Sequence, residues 1–239
     1  FPDPASTIAE ARSNGVTRVM VVGVDVDSSR RAVELAEHHE EVFAIVGVHP
    51  NYAHLVAQDW LQQIASLIDH PRALAIGEIG LDYHWMESPR EVQLACLTEQ
   101  LDLAKSTGKP VVFHCREAYA DLLETLESRP LQPYLFHCFS GHRDDARRGI
   151  ALDATFGVDG PITYPSAKAL REVIASIPHD RLVVETDSPY MAPAPNRGKP
   201  NRPAWVRWVN AGLAATLGLD ENACARITTA NAETFFGMP

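Results

Sequence analysis

The chain has no apolar run of the roughly eighteen residues that a membrane-spanning helix needs, so nothing in it reads as a transmembrane segment. Nor does any stretch read as a signal peptide. Its four cysteines, Cys96, Cys115, Cys138 and Cys224, lack the C-x-x-C spacing of zinc or redox motifs. Their scatter suits reduced thiols and leads us to expect a cytoplasmic protein. Gly-rich stretches such as GEIG (77–80) are not followed by Gly-Lys-Ser/Thr, which excludes a P-loop. Basic residues are outnumbered, 21 Lys and Arg against 31 Asp and Glu, for a net charge of −10. A broad basic surface for holding nucleic acid is therefore excluded. If the substrate is a polyanion, bound cations and a few local arginines must supply the positive field. Internal repeats, low-complexity tracts and an interdomain linker are also missing.

What remains is an orderly alternation. With 239 residues and 46% hydrophobic content, the chain fits one α/β domain spanning 1–239. A helical stretch, about 5–14, precedes the strand VTRVMVVGV. Asp27-Ser28-Ser29 then reads as the cap of a helix running to about Glu40. VFAIVGV, ALAIGEI, PVVFH, PYLFHCF, ALDATFGV and RLVVETD follow as strands, separated by helices near 60–68, 91–105, 118–126, 145–149 and 167–175. Two helices, about 203–217 and 221–235, close the chain. Near-continuous Val, Ile, Leu, Ala and Phe in the strands indicates a parallel sheet covered by helices. Seven strands each lead into helix, and one helix comes first without a strand. The fold expected is a TIM-like (β/α)8 barrel whose first strand lies upstream of Phe1; an open seven-stranded sheet is the alternative.

Glu78, His114, His137 and Asp187 each stand where one of these strands runs into a loop. On a parallel barrel the C-terminal ends of the strands build the active site. Two imidazoles and two carboxylates suit Mg²⁺, Mn²⁺ or Zn²⁺ and show no preference for soft copper. Each residue also has an ordinary reading: Asp187 as a helix cap, the histidines as hydrogen-bonded core residues, Glu78 as an arginine partner. All four being ordinary at once is improbable. Strand alternation turns Cys115 and Cys138 away from the histidines, as small apolar packing in the helical layer.

The blocks GVHP (47–50), GEIGLDYH (77–84), PVVFHCRE (110–117), FHCFSG (136–141) and ETDSPY (185–190) resemble the signature blocks of the TatD family of metal-dependent deoxyribonucleases. RGKPNRP (197–203) is similar to that family's loop after the last barrel strand. The resemblance covers essentially the whole chain. It implies an amidohydrolase-like barrel that hydrolyses phosphodiesters with two divalent metal ions, Mg²⁺ foremost, often 3′→5′ on DNA. It makes Glu78 the bridging carboxylate and His114 and His137 the ligands of one metal. Asp187 becomes the ligand of the other metal and the residue that handles the attacking water. The family's His-x-His pair is absent from this sequence, and His38-His39 cannot replace it, because neighbours on a helix point about 100° apart.

Substrate contacts are expected from His49, from Arg116 on the same strand face as His114, from Ser140, and from Arg197 with Lys199 and Arg202. Turn stabilisation, salt bridges to Glu117 or Asp121, a plain strand-to-helix turn and a solvated charged loop are the respective alternatives. His84 and Tyr190 stand beside strong motifs and are expected to line the pocket. The mechanism expected is metal-assisted hydrolysis, with Glu78 and Asp187 as catalytic residues and Asp187 accepting the proton of the attacking water. The partner expected is DNA, or RNA, acted on by a monomer. A hydrolase of another ester, amide or small phosphoester, and a non-catalytic binding protein, are the competing readings.

Overall fold

The computed structural model describes residues 3–129 and 132–238. Its contacts group into two compact units. One is Met20–His137 with Ala151–Ala154; the other is Phe1–Val19, Cys138–Ile150 and Thr155–Pro239. Seven strands occur among the described residues.

In the first unit, runs of β-branched and apolar residues form strands that, except for the part-exposed first, are mostly buried. These are β1 (Val19–Val22), β2 (Val42–Val46), β3 (Ala73–Asp82), β4 (Val111–Arg116) and β5 (Tyr134–Phe136). They lie side by side in chain order, and the registers of β2 on β3, β3 on β4 and β4 on β5 are parallel. The helices α1 (Pro4–Ser13), α2 (Val26–His38), α3 (Trp60–Ile68), α4 (Arg90–Thr107) and α5 (Tyr119–Glu127) fall between and before them in the chain, α1 belonging to the second unit. Ile45, Ile64, Ile76, Leu97, Leu101, Phe113 and Leu122 are almost wholly buried. Each such side chain contributes about 1.5–3 kcal/mol relative to leaving it in water.

Two local expectations need correcting. The cap of α2 is Asp25, not Asp27: its carboxylate accepts the Ser28 amide at 2.7 Å, and Ser28 Oγ accepts the Asp25 amide at 3.0 Å. That reciprocal pair satisfies two donors the helix cannot satisfy itself. The third strand does not end with ALAIGEI at Ile79 but runs three residues further, to Asp82. Ile79 and Leu81 keep the apolar alternation going. Between Ile76 and Ile79 the register on β4 shifts, with three β3 residues set against two. Such a bulge re-aims side chains, and Glu78 sits within it.

The second unit holds β6 (Thr155–Val158) and β7 (Leu182–Val184), paired in parallel. With them are α6 (Arg143–Ala151), α7 (Lys168–Ile174), α8 (Val206–Leu217) and α9 (Glu221–Phe236), the last packing on β7. Asp220 caps α9, accepting the amides of Asn222 and Ala223. Arg202 is bound to Glu10 on α1, at 2.9 Å, and lies over the Trp205 ring. Its charge is therefore partly met by Glu10 within this unit.

Candidate metal centre

In the first unit three imidazoles converge on one carboxylate oxygen. Glu78 Oε1 is 3.0 Å from His114 Nδ1, 3.7 Å from His137 Nε2 and 3.8 Å from His49 Nε2. His49, Glu78 and His114 each offer a ligand atom within 4.8 Å of the others. All four side chains are largely buried, between 11% and 20% exposed.

The backbone fixes each group. Gly80, paired with His114 across β3 and β4, has φ +141°, and a Cβ there would stand 1.9 Å from the His114 carbonyl oxygen. Only glycine allows the two strands to approach so closely. The Glu78 amide donates to the Gly23 carbonyl at 3.2 Å, and that of His49 to Val24 at 2.9 Å, both just past β1. His49 Nδ1 accepts the Asn51 amide at 3.2 Å, which leaves Nε2 facing Glu78.

Asp82, passed over in the sequence although it lies in the GEIGLDYH block, is the second carboxylate of this cluster. It is 1% exposed, and its Oδ2 lies 2.9 Å from His114 Nε2. It is four residues from Glu78 along β3, and the two carboxylates grip opposite nitrogens of one ring. Its Oδ1 accepts the amides of His84 and Trp85 at 3.0 and 2.9 Å. Two wholly buried glutamines on α4 brace the strand ends. Gln93 accepts the Asp82 amide at 2.8 Å and donates to the Asp82 carbonyl at 3.0 Å. Gln100, seven residues on and so on the same helix face, does the same for Val48 at 2.8 and 3.0 Å, beside His49. A polar residue in an apolar helical stripe is the only trace of this in the sequence.

Charge sorts the imidazoles into two kinds. Burial pushes His49 down to about 4, against the opposing pull of Glu78, so it is neutral at pH 7. Burial also opposes a charge on His114, but hydrogen bonds to Asp82 and Glu78 outweigh it and raise its pKa above the ordinary value. Burial disfavours ionised Glu78 too; the charge of His137 and the hydrogen bond with His114 nevertheless hold it far below the usual carboxylate range. Asp82 is lowered to about 2, its burial overcome by the hydrogen bonds with His114 and the Trp85 amide.

Arg116, at the end of β4, makes neither of the salt bridges considered for it: Glu117 pairs with His84 at 2.8 Å, and Asp121 takes Tyr83 and Arg90. Its guanidinium lies over the Trp85 ring, 5.6 Å from the centroid. The remaining sequence candidates belong to the second unit. Asp187, three residues past β7, has φ +52°. Buried Asn201 pins its loop by donating to the carbonyls of Thr186 and Tyr190 at 2.6 and 2.8 Å. Arg197 stacks over Tyr164 at 4.2 Å, and Ser140 is exposed in the turn after β5. Cys138 is not the apolar filler expected: its φ is +45°, and its thiol lies 3.1 Å from Asp159 Oδ2. Burial, reinforced by Asp159 and Glu185, raises its pKa well above the ordinary value.

A parallel α/β scaffold that gathers imidazoles and carboxylates at its strand ends defines a metal-dependent hydrolase of the TIM-like barrel class. The chain belongs to the TatD family: the profile described as TatD related DNase matches residues 1–237. It is 36% identical over 98% of its length to 92% of the uncharacterized metal-dependent hydrolase YabD of Bacillus subtilis. It is 32% identical over 99% of its length to 94% of the 3'-5' ssDNA/RNA exonuclease TatD of Enterobacter lignolyticus. Among solved structures, the TatD homologue YJJV of Escherichia coli superimposes with a TM-score of 0.93 at 31% identity, covering 100% of this chain and 96% of that one.

Proposed function

We propose that this protein hydrolyses phosphodiester bonds of single-stranded DNA, or RNA, from the 3′ end, using two divalent cations with Mg²⁺ foremost. The observation that carries the proposal is the convergence of three imidazoles on one buried carboxylate oxygen. The donor set fits a borderline-to-hard cation, and Asn51 Oδ1, beside Asp82, is a buried acceptor without a donor among the described residues. Names of relatives point to the same substrate: several are 3'-5' ssDNA/RNA exonucleases.

When bound, divalent cations acidify water toward neutrality and neutralise charge on phosphoryl oxygens. The chain's own residues do the rest. Glu78 and the imidazoles of His49, His114 and His137 would hold the cations. Asp82 fixes the His114 ring through Nε2, leaving Nδ1 toward Glu78, the arrangement in which a carboxylate orients a ligand histidine. Gln93 and Gln100 hold the strand ends in place, and Arg116 meets a phosphate. A protein of net charge −10 needs such cations to receive a polyanion.

Cation and proton compete for His114. A ligand histidine must be neutral, and this one is held protonated to above its ordinary pKa. Below that pKa, apparent Mn²⁺ affinity is expected to rise about tenfold per pH unit, levelling off above it. Titration calorimetry from pH 6 to 9 checks this; affinity independent of pH would remove His114 from the ligand set. Screening bis-phosphodiesters against carboxylic esters and amides separates a nuclease from an amide or ester hydrolase: only the first should turn over with Mg²⁺ or Mn²⁺.

A further inference from the structure

Trp85 is 58% exposed, and Met86 beside it 45%. Single exposed apolar residues are ordinary, so exposure alone says nothing. What sets Trp85 apart is how firmly its loop is held and what lies against its ring. The Trp85 amide donates to Asp82 Oδ1 at 2.9 Å, and the other oxygen of that carboxylate meets His114. Further along, buried Ser88 accepts the His54 amide at 3.2 Å and lies 2.8 Å from His54 Nδ1, while its carbonyl accepts Gln93 Nε2 at 2.8 Å. An indole is thus presented to solvent on a loop anchored through buried polar groups, one side chain removed from the metal centre.

Its ring has two polar neighbours. His84 stands edge-on, centroids 4.9 Å apart at 89°, and the Arg116 guanidinium lies over it at 5.6 Å. A second exposed ring, Tyr52, stands 6.2 Å from His49, itself in the cluster. An exposed aromatic face beside an arginine, in a protein otherwise strongly acidic, matches one kind of ligand: a flat, sequence-independent π surface with an anion next to it. Nucleotides in single strands have that composition, a base for the ring and a phosphate for the guanidinium.

We propose that Trp85 is a base-stacking platform that, with Arg116 on the adjoining phosphate, receives one nucleotide of a single-stranded substrate next to the cleavage site. This rests on the nuclease reading above and assigns it a substrate subsite. Recognition is by the base's face, so every base is accepted, whereas duplexes, whose bases are already stacked, are disfavoured.

The test compares kcat/KM for single-stranded oligothymidylates with and without abasic 3′-terminal nucleotides, in Mg²⁺, for the wild type, Trp85→Ala and Trp85→Phe. Tryptophan emission is recorded alongside with a fully phosphorothioate oligothymidylate that resists cleavage. The wild type should favour the base-bearing substrate by about tenfold. Trp85→Ala should bring that ratio close to one and lose part of the emission quenching, and Trp85→Phe should recover most of the ratio. A ratio that Trp85→Ala leaves unchanged, with equal quenching in both proteins, overturns the platform while cleavage still upholds the nuclease. A wild type that cleaves neither oligomer with Mg²⁺, Mn²⁺ or Zn²⁺ overturns the nuclease reading and the platform with it.

Discussion

Glu78→Gln is expected to lower hydrolysis about a thousandfold, roughly 4 kcal/mol of transition-state stabilisation, with the circular dichroism spectrum unchanged. Glutamine keeps the size of the side chain, so packing in the bulge of β3 survives. What disappears is the negative charge on which His49, His114 and His137 converge. In the metal-free protein the same substitution removes one of the two carboxylates that favour protonated His114, so that imidazole should titrate at lower pH by NMR. Loss of folding, or an activity within a few-fold of the wild type, would assign Glu78 a structural role instead.

Gly80→Ala is expected to damage both the fold and the site, without touching any side chain of the cluster. The added methyl would lie 1.9 Å from the His114 carbonyl oxygen, at a φ of +141° that L residues rarely adopt. Because the obstacle is backbone, β3 or β4 must move. Overpacking on this scale costs about 3 kcal/mol, or a fall of about 6–12 °C in melting temperature for a domain of this size. Since Gly80 pairs with His114 itself, metal affinity should fall too. A variant that melts and binds Mn²⁺ like the wild type would show that the strands have slack the packing denies.

Much of this was legible in the sequence, for identifiable reasons. Buried parallel strands are written as unbroken apolar runs, so all seven could be read, and the family blocks pointed to Glu78, His114 and His137. The end of β3 lies three residues past ALAIGEI, which the sequence hides because Gly80 and Asp82 read as the start of a loop. In fact Ile79 and Leu81 stay buried and a bulge absorbs Glu78. His49 was read as a substrate contact, and only the folded chain reveals that its ring lies 4.3 Å from that of His114. Asp82 was invisible as a site residue, since its partner His114 lies 32 residues away in the chain. The same holds for Gln100, whose clamp on Val48 spans 52 residues. A buried polar side chain gains its meaning from its partner, and the partner is a product of the fold. The pairing of Arg202 with Glu10, 192 residues away, was likewise not legible in the sequence.

Imidazoles gathered on Glu78 are proposed to hold the cations needed to cleave a nucleic-acid strand. The most direct test is digestion of a single-stranded DNA oligomer, labelled at one end or the other, with the protein stripped by EDTA and then supplied with Mg²⁺. No cleavage is expected in EDTA, and stepwise loss from the 3′ end once Mg²⁺ returns. An oligomer left intact by a protein that demonstrably binds Mg²⁺ or Mn²⁺ would contradict it.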